Sequence, residues 1–278
     1  VEQDQSVSSD RLFYSSTPLN ENAKVAFVFP GSGSHFIGMG REMSAHWPQV
    51  LNQLDDENQA LASQFARSRF WTQKSTANFS HEDFIFGQVW LGAMVSDVVA
   101  SFSIKPDAVI GYCLGETVGL FATRTWSDRD LMLKRMRETS LFTRDLGGSC
   151  EAVKKTWGLD DDEEIDWQLG VVDRPAEEVK NALSGRSHVY LLIVNTPTEC
   201  IVGGERSAVQ DLIRDLNCGF HPLEGVTTVH CEVVKPVEKP YRDLHLFDTT
   251  PPEGVAFYSG IAASQYKVTT ENAADSIV

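Results

Sequence analysis

The chain has 278 residues, of which 42% are hydrophobic and 23% charged, with a formal net charge of −15. That length buries a large core and leaves room for a main domain with a smaller insert. The acidity argues against nucleic acid and anionic membrane as partners, since both would repel the chain, and leaves room for local basic patches around a pocket.

Residues 1–22 are polar and rich in serine and read as a surface linker, anchored at Leu12-Phe13-Tyr14. The apolar run from Lys24 to Pro30 predicts a parallel strand buried on both faces. Gly31-Ser32-Gly33-Ser34-His35-Phe36-Ile37-Gly38-Met39-Gly40 follows at once. A strand feeding a glycine-rich turn is the shape of a phosphate cradle, but the spacing fits neither of the common nucleotide-binding patterns. It reads instead as a loop that presents backbone N–H groups to an oxyanion. Helical segments interrupted at Pro48 occupy 41–79, and a long apolar helix is expected over Ile85–Phe102, with Gln88 on its first turns.

Residues 107–121 read as a strand, a tight turn and the start of a helix ending near Arg124. Within them, Gly111-Tyr112-Cys113-Leu114-Gly115 has the spacing of a nucleophile elbow with cysteine in place of serine. The turn needs small residues on either side because the neighbouring backbone passes close by. The nucleophile then sits at a helix N-terminus, where exposed N–H groups favour an anion. On this stretch alone, a cysteine buried in an α/β core is an equal reading. Ser127 is expected to cap a helix running to about Arg144, with Arg137 inside it.

The acidic run 160–166 reads as a solvated loop. Strands at 168–173, 188–195 and 200–203 alternate with helices at 175–183 and 206–217, the order of a ferredoxin-like unit placed at 146–219. The chain then returns through His221–Val234, a helix containing Val237–Leu246, a strand at Phe257–Gly260 and a helix beginning near 268. The expected architecture is therefore an α/β-hydrolase-like parallel-sheet core from 23–145 and 220–278 with an inserted ferredoxin-like small domain. The five cysteines form no zinc-ligand spacing, which indicates a reduced, cytoplasmic compartment and no metal site. No apolar run reaches the roughly 18 residues needed for a bilayer span, no signal peptide opens the chain, and it reads as a domain excised from something longer.

The segments FVFPGSGSHFIGMG, GYCLGE, Arg137, VNTPTECIVGG and TTVHCEVVKP together resemble the malonyl/acyl-CoA:acyl-carrier-protein acyltransferase family over almost the whole chain. RLFYSSTPL and the phrasing around WGLDDDEEIDW are most similar to acyltransferase domains of polyunsaturated fatty acid synthases and related iterative polyketide synthases. The resemblance implies ping-pong transfer of an acyl group, malonyl favoured, from acyl-CoA to the phosphopantetheine of an acyl carrier protein, alongside other synthase domains. No bound cofactor is expected.

In that reading Cys113 is the nucleophile and His230 the general base, and backbone N–H groups of Ser32 and Leu114 form the oxyanion hole. Arg137, 24 residues after the nucleophile, would clamp the free carboxylate of a malonyl group with two parallel hydrogen bonds. Gln88 and Asn195 would line or brace the site. Three departures from the family stand out: Ser32 for glutamine, Tyr112 for histidine, and Cys113 for serine. The last leaves open a natural variant or a deliberate substitution, and His230 with the helix N-terminus is expected to lower the thiol pKa. In the family a backbone carbonyl beyond the last helix orients the histidine, so no acidic third member is expected. The tetrapeptide ending at His230, TTVH, differs from those associated with malonyl or methylmalonyl choice. Two alternative functions remain: a thioesterase using the same pair, and a scaffold domain with a degenerate site.

Overall fold

The computed structural model describes residues 7–8, 13–19, 22–60, 67–75, 79–223 and 228–278. Most of the expected linker, including Leu12, and Thr227 of the TTVH tetrapeptide lie outside the described residues. The described part of the lead-in holds a small antiparallel pair, β1 (Val7–Ser8) with β2 (Phe13–Tyr14).

The larger sheet contains β3 (Ala26–Phe29), β4 (Ala108–Gly111), β9 (Ala256–Ser259) and β10 (Ser264–Tyr266), ordered β10-β9-β4-β3. β3, β4 and β9 run parallel, and the short β10 turns back antiparallel to β9. The fold is therefore α/β with a mixed sheet. Contrary to expectation, β3 is not buried on both faces. It is the sheet edge, and Val28 is 70% exposed while Phe29 alone is buried.

A 21-residue helix, His81–Ser101, packs beneath the sheet and against the Leu114–Ala122 helix. Its start is fixed by a capping box: Ser80 Oγ accepts the Asp83 N–H while the Asp83 carboxylate accepts the Ser80 N–H. By length and composition this helix could cross a membrane. Phe86, Val89, Trp90, Ala93 and Met94 are nevertheless at most 2% exposed, so its apolar character is that of a core helix. Each large side chain buried there contributes roughly 1.5–3 kcal/mol.

Helix Arg129–Glu138 is capped by Asp128, whose carboxylate accepts the Leu131 N–H, and not by Ser127. It is shorter than expected and is followed by a π-turn at Leu141–Asp145. Residues 167–222 build a second, fully antiparallel sheet from β5 (Trp167–Val172), β6 (Val189–Thr196), β7 (Glu199–Glu205) and β8 (Phe220–Pro222), ordered β6-β7-β5-β8. Helices Ala176–Leu183 and Arg206–Leu216 connect β5 to β6 and β7 to β8, each pair separated by one strand. Val179, Val209 and Leu212 turn inward onto Val172 and Val202. The fourth strand extends this unit past the boundary expected at 219, because Phe220–Pro222 pairs with Gly170–Val172.

Candidate active site

The end of β4 delivers the chain into a turn that only small neighbours permit. Cys113 adopts φ 55° and ψ −121°, a strained conformation for a residue with a Cβ, and the Leu114–Ala122 helix starts immediately after it. A Cβ at Gly111 would stand 2.1 Å from the Glu116 nitrogen, and one at Gly115 would stand 2.2 Å from the Phe29 carbonyl oxygen. Both glycines are there because backbone occupies the space.

His230 approaches from between β8 and a 3-10 turn at Glu232–Val237. Thr228 pins this segment, its N–H and hydroxyl both donating to the Leu146 carbonyl at 2.9 and 3.0 Å. His230 itself has φ 67°. Its Nε2 lies 3.0 Å from Cys113 Sγ, so two residues 117 positions apart form the expected pair.

The Ser32 and Leu114 backbone N–H groups both reach the Cys113 sulfur, as does the Ser32 hydroxyl. Gln88, buried on the long helix, donates Nε2 to the Pro30 and Gly31 carbonyls at 2.7 and 2.5 Å and so holds the loop that carries Ser32. Asn195 accepts the Tyr112 hydroxyl at 2.7 Å and donates to Glu199 at 2.8 Å. It thereby ties β6 of the small sheet to the residue before the nucleophile. Partial burial and neighbouring acidic groups push the Tyr112 hydroxyl up to about 12, which keeps it a donor.

The protonation of the pair differs from expectation. Loss of water raises the Cys113 thiol above its ordinary value, outweighing the two N–H groups that favour the thiolate. The same desolvation lowers His230. The resting pair is thus a neutral thiol beside a neutral imidazole.

Arg137 is not at the site. Its guanidinium grips Glu82 with two hydrogen bonds of 3.0 and 2.7 Å, and its side chain is 51% exposed. The reason is helical period. Met132 and Met136, one turn apart on the same helix, face the cavity beside Cys113, and the next residue is rotated away from it. Sequence reasoning also missed Glu116, the third residue after the nucleophile, which lines that cavity and is 9% exposed. Its Oε1 accepts the Gly260 N–H at 2.6 Å. Oε2 has no hydrogen bond within geometric reach among the described residues; the Ser276 hydroxyl lies close enough to favour the ionised carboxyl but donates to the Ala273 carbonyl. Burial raises the carboxyl to about 7. A lone acid inside the apolar run Leu114–Ala122 was the available signal. No group of three or more metal-binding side chains occurs among the described residues.

No protein-family model matches the chain. A polyunsaturated fatty acid synthase polypeptide of a Thraustochytrium species is 22% identical over 266 residues, 90% of this chain and 13% of that protein. Malonyl CoA-acyl carrier protein transacylase of Bacillus subtilis is 23% identical over 228 residues, 80% of this chain and 68% of that protein. The chain spans only 13% of the Thraustochytrium synthase and 11% of a conidial pigment polyketide synthase of Pestalotiopsis fici that it also matches. Among solved structures, the acyltransferase domain from the second module of the salinomycin polyketide synthase superposes with a TM-score of 0.70 at 18% identity, covering 95% of this chain and 59% of that one. The malonyl-CoA:ACP transacylase of Synechocystis does so with a TM-score of 0.67 at 17% identity, covering 92% and 80%. With the glycine-flanked elbow facing a histidine, the chain shares the fold of synthase acyltransferase domains and acyl-carrier-protein transacylases, and its sequence is similar to theirs at 22–23% identity.

Proposed function

We propose that the chain moves an acyl group from coenzyme A to the phosphopantetheine thiol of an acyl carrier protein through a thioester on Cys113. The observation that carries this is the 3.0 Å contact between Cys113 Sγ and His230 Nε2 at a strained elbow. His230 takes the thiol proton as sulfur attacks the acyl carbonyl. The Ser32 and Leu114 N–H groups are available to the tetrahedral oxyanion. Collapse breaks the carbon–sulfur bond to coenzyme A, whose thiolate takes the proton back from His230. The second half runs the same way. His230 deprotonates the incoming pantetheine thiol, that sulfur attacks the acyl-Cys113 carbonyl, and Cys113 leaves and is reprotonated.

The test is intact-protein mass after mixing with an acyl-CoA, followed by addition of a phosphopantetheinylated carrier protein. The acyl adduct should form, vanish on addition of carrier, and reappear on the carrier. Cys113→Ala should abolish it, and His230→Ala should slow it by roughly 10²–10⁴. Release of free acid faster than transfer to carrier would overturn the transferase reading in favour of a hydrolase.

A further inference from the structure

Cys113 and His230 together line two spaces, a cavity of about 520 Å³ beside the elbow helix and a slot of about 30 Å³ under the small sheet. Apart from Ser32 and Tyr112, the slot's remaining walls are hydrocarbon: Leu169, Leu192, Ile193, Ile201, Leu223 and Val229. By size the slot has room for a water, since roughly 10–15 Å³ suffices. A water there would stand beside both the base and an acyl group carried by Cys113, which is where hydrolysis begins. It would also need about two to four polar partners, and the slot offers few. The His230 Nε2 and the Ser32 hydroxyl are both turned to the Cys113 sulfur, and the Tyr112 hydroxyl is engaged by Asn195. A thiol is a weak hydrogen-bonding group and tolerates such walls better than water does.

The width of the slot depends on β6, an edge strand of the small sheet. Its ladder with β7 slips twice, between Leu191 and Ile193 and between Val194 and Thr196. The residues left without a partner on β7 are Leu192 and Asn195, and such bulges re-aim side chains. Leu192 stands in the slot wall, and Asn195 accepts the Tyr112 hydroxyl at 2.7 Å. The Tyr112 ring in turn lies against Gly31, where a Cβ would stand 2.5 Å from its Cδ1. One side chain thus joins the elbow, the loop that carries Ser32 and the edge of the small sheet.

Resting on the acyl-transfer reading above, we infer that the Tyr112–Asn195 hydrogen bond clamps the small sheet down on the slot, and that these two positioning residues commit the acyl group on Cys113 to a thiol acceptor by closing the slot to water. In the reaction they suppress, His230 Nε2 takes a proton from water and the water oxygen bonds to the acyl carbon. The carbon–sulfur bond to Cys113 then breaks, and the Cys113 thiolate takes that proton as free acid leaves. The experiment loads Cys113 from acetyl- or malonyl-CoA, removes excess coenzyme A, and follows loss of the adduct by intact mass with and without phosphopantetheinylated carrier protein. It is run on the unaltered chain, Tyr112→Phe, Asn195→Ala, the two together, and Arg206→Ala, which breaks an exposed ion pair with Asp166 at the far end of β7. Loss without carrier should rise roughly three- to tenfold in each single variant, the effect of one hydrogen bond, while loss to carrier does not rise. The two substitutions together should do no more than the larger single effect, because they remove the same bond. Arg206→Ala should leave both losses within about twofold of the unaltered chain.

A merely structural weakening would move both losses alike and leave their ratio where it was. An unchanged ratio in either single variant, single effects that multiply in the pair, or an equal rise in Arg206→Ala overturns the clamp while leaving acyl transfer standing. No adduct on the unaltered chain from either acyl-CoA, or acid release from it that outpaces transfer to carrier, overturns the transfer reading itself, and this inference with it.

Discussion

Replacing Glu116 by glutamine should stabilise the protein, and only at high pH. The carboxyl is pushed from an ordinary value of 4.5 to about 7 in the folded state. The folded protein therefore binds the proton more tightly than the unfolded chain, and stability falls as pH rises from about 4.5 through about 7. At roughly 1.36 kcal/mol per pH unit, the full penalty on the acid is about 3 kcal/mol above the folded value. Glutamine carries no charge and keeps an oxygen for the Gly260 N–H, which lies 2.6 Å from Oε1. Its amide N–H₂, facing a spot with no partner, costs about 1–3 kcal/mol at every pH. That cost cancels in the comparison between pH values.

The decisive quantity is the variant's stability minus the parent's at pH 8, less the same difference at pH 4.5, read from urea unfolding. The expected value is about 3 kcal/mol in favour of the variant at pH 8. A difference within about 0.5 kcal/mol of zero would show that Glu116 ionises as freely as a surface acid, and the reasoning would fail.

Three further outcomes follow from the same geometry. Gly115→Ala should destabilise by at least about 2 kcal/mol in urea unfolding, because its Cβ would meet the Phe29 carbonyl at 2.2 Å; an unaffected midpoint refutes the elbow's steric argument. Because Cys113 is raised above its ordinary 9.0, its alkylation by iodoacetamide should keep accelerating above pH 9, and a plateau below pH 8 would reveal a thiolate at rest. With His230 lowered from 6.5, acylation should remain flat as pH falls from 8 to 6.5 and decline only below that, so a decline beginning near pH 7.5 would contradict the neutral base.

What the sequence makes legible here is whatever depends on sterics within a few residues. The elbow is readable because Gly111 and Gly115 mark places where backbone, not side chain, fills the space. The Ser32 loop is readable because a strand running into glycines aims N–H groups outward. Arg137 shows the limit. Its position is right by count from the nucleophile, but the count says nothing about rotation, and the Met132–Met136 spacing on the same helix already fixed which side faces inward. The thiol shift was expected in terms of partners alone, and desolvation, a property of the assembled cavity, outweighs those partners. β8 escaped notice because three residues ending in proline carry no alternation to detect, and the edge position of β3 depends on strand order, which an apolar run does not encode.

The register of the larger sheet pairs Ala26 with Ala108 and Ala108 with Ala256, while every strand of the small sheet comes from residues 167–222. In folding, the small sheet closes short loops and the larger one very long ones, and closure entropy is met before distant contacts reward it. We predict that the small sheet gains protection from hydrogen exchange first during refolding, with β9 joining β4 later. Pulse labelling would contradict this if the β4–β9 amides were protected no later than those of β5–β7. Cys113 and His230 both lie within the stretch that this closure spans, 117 residues apart, so chemical competence waits on a long-range contact as well. A ribosome-bound or half-folded chain would expose an unassembled Cys113 with no base to activate it, and premature acylation would be suppressed by topology alone.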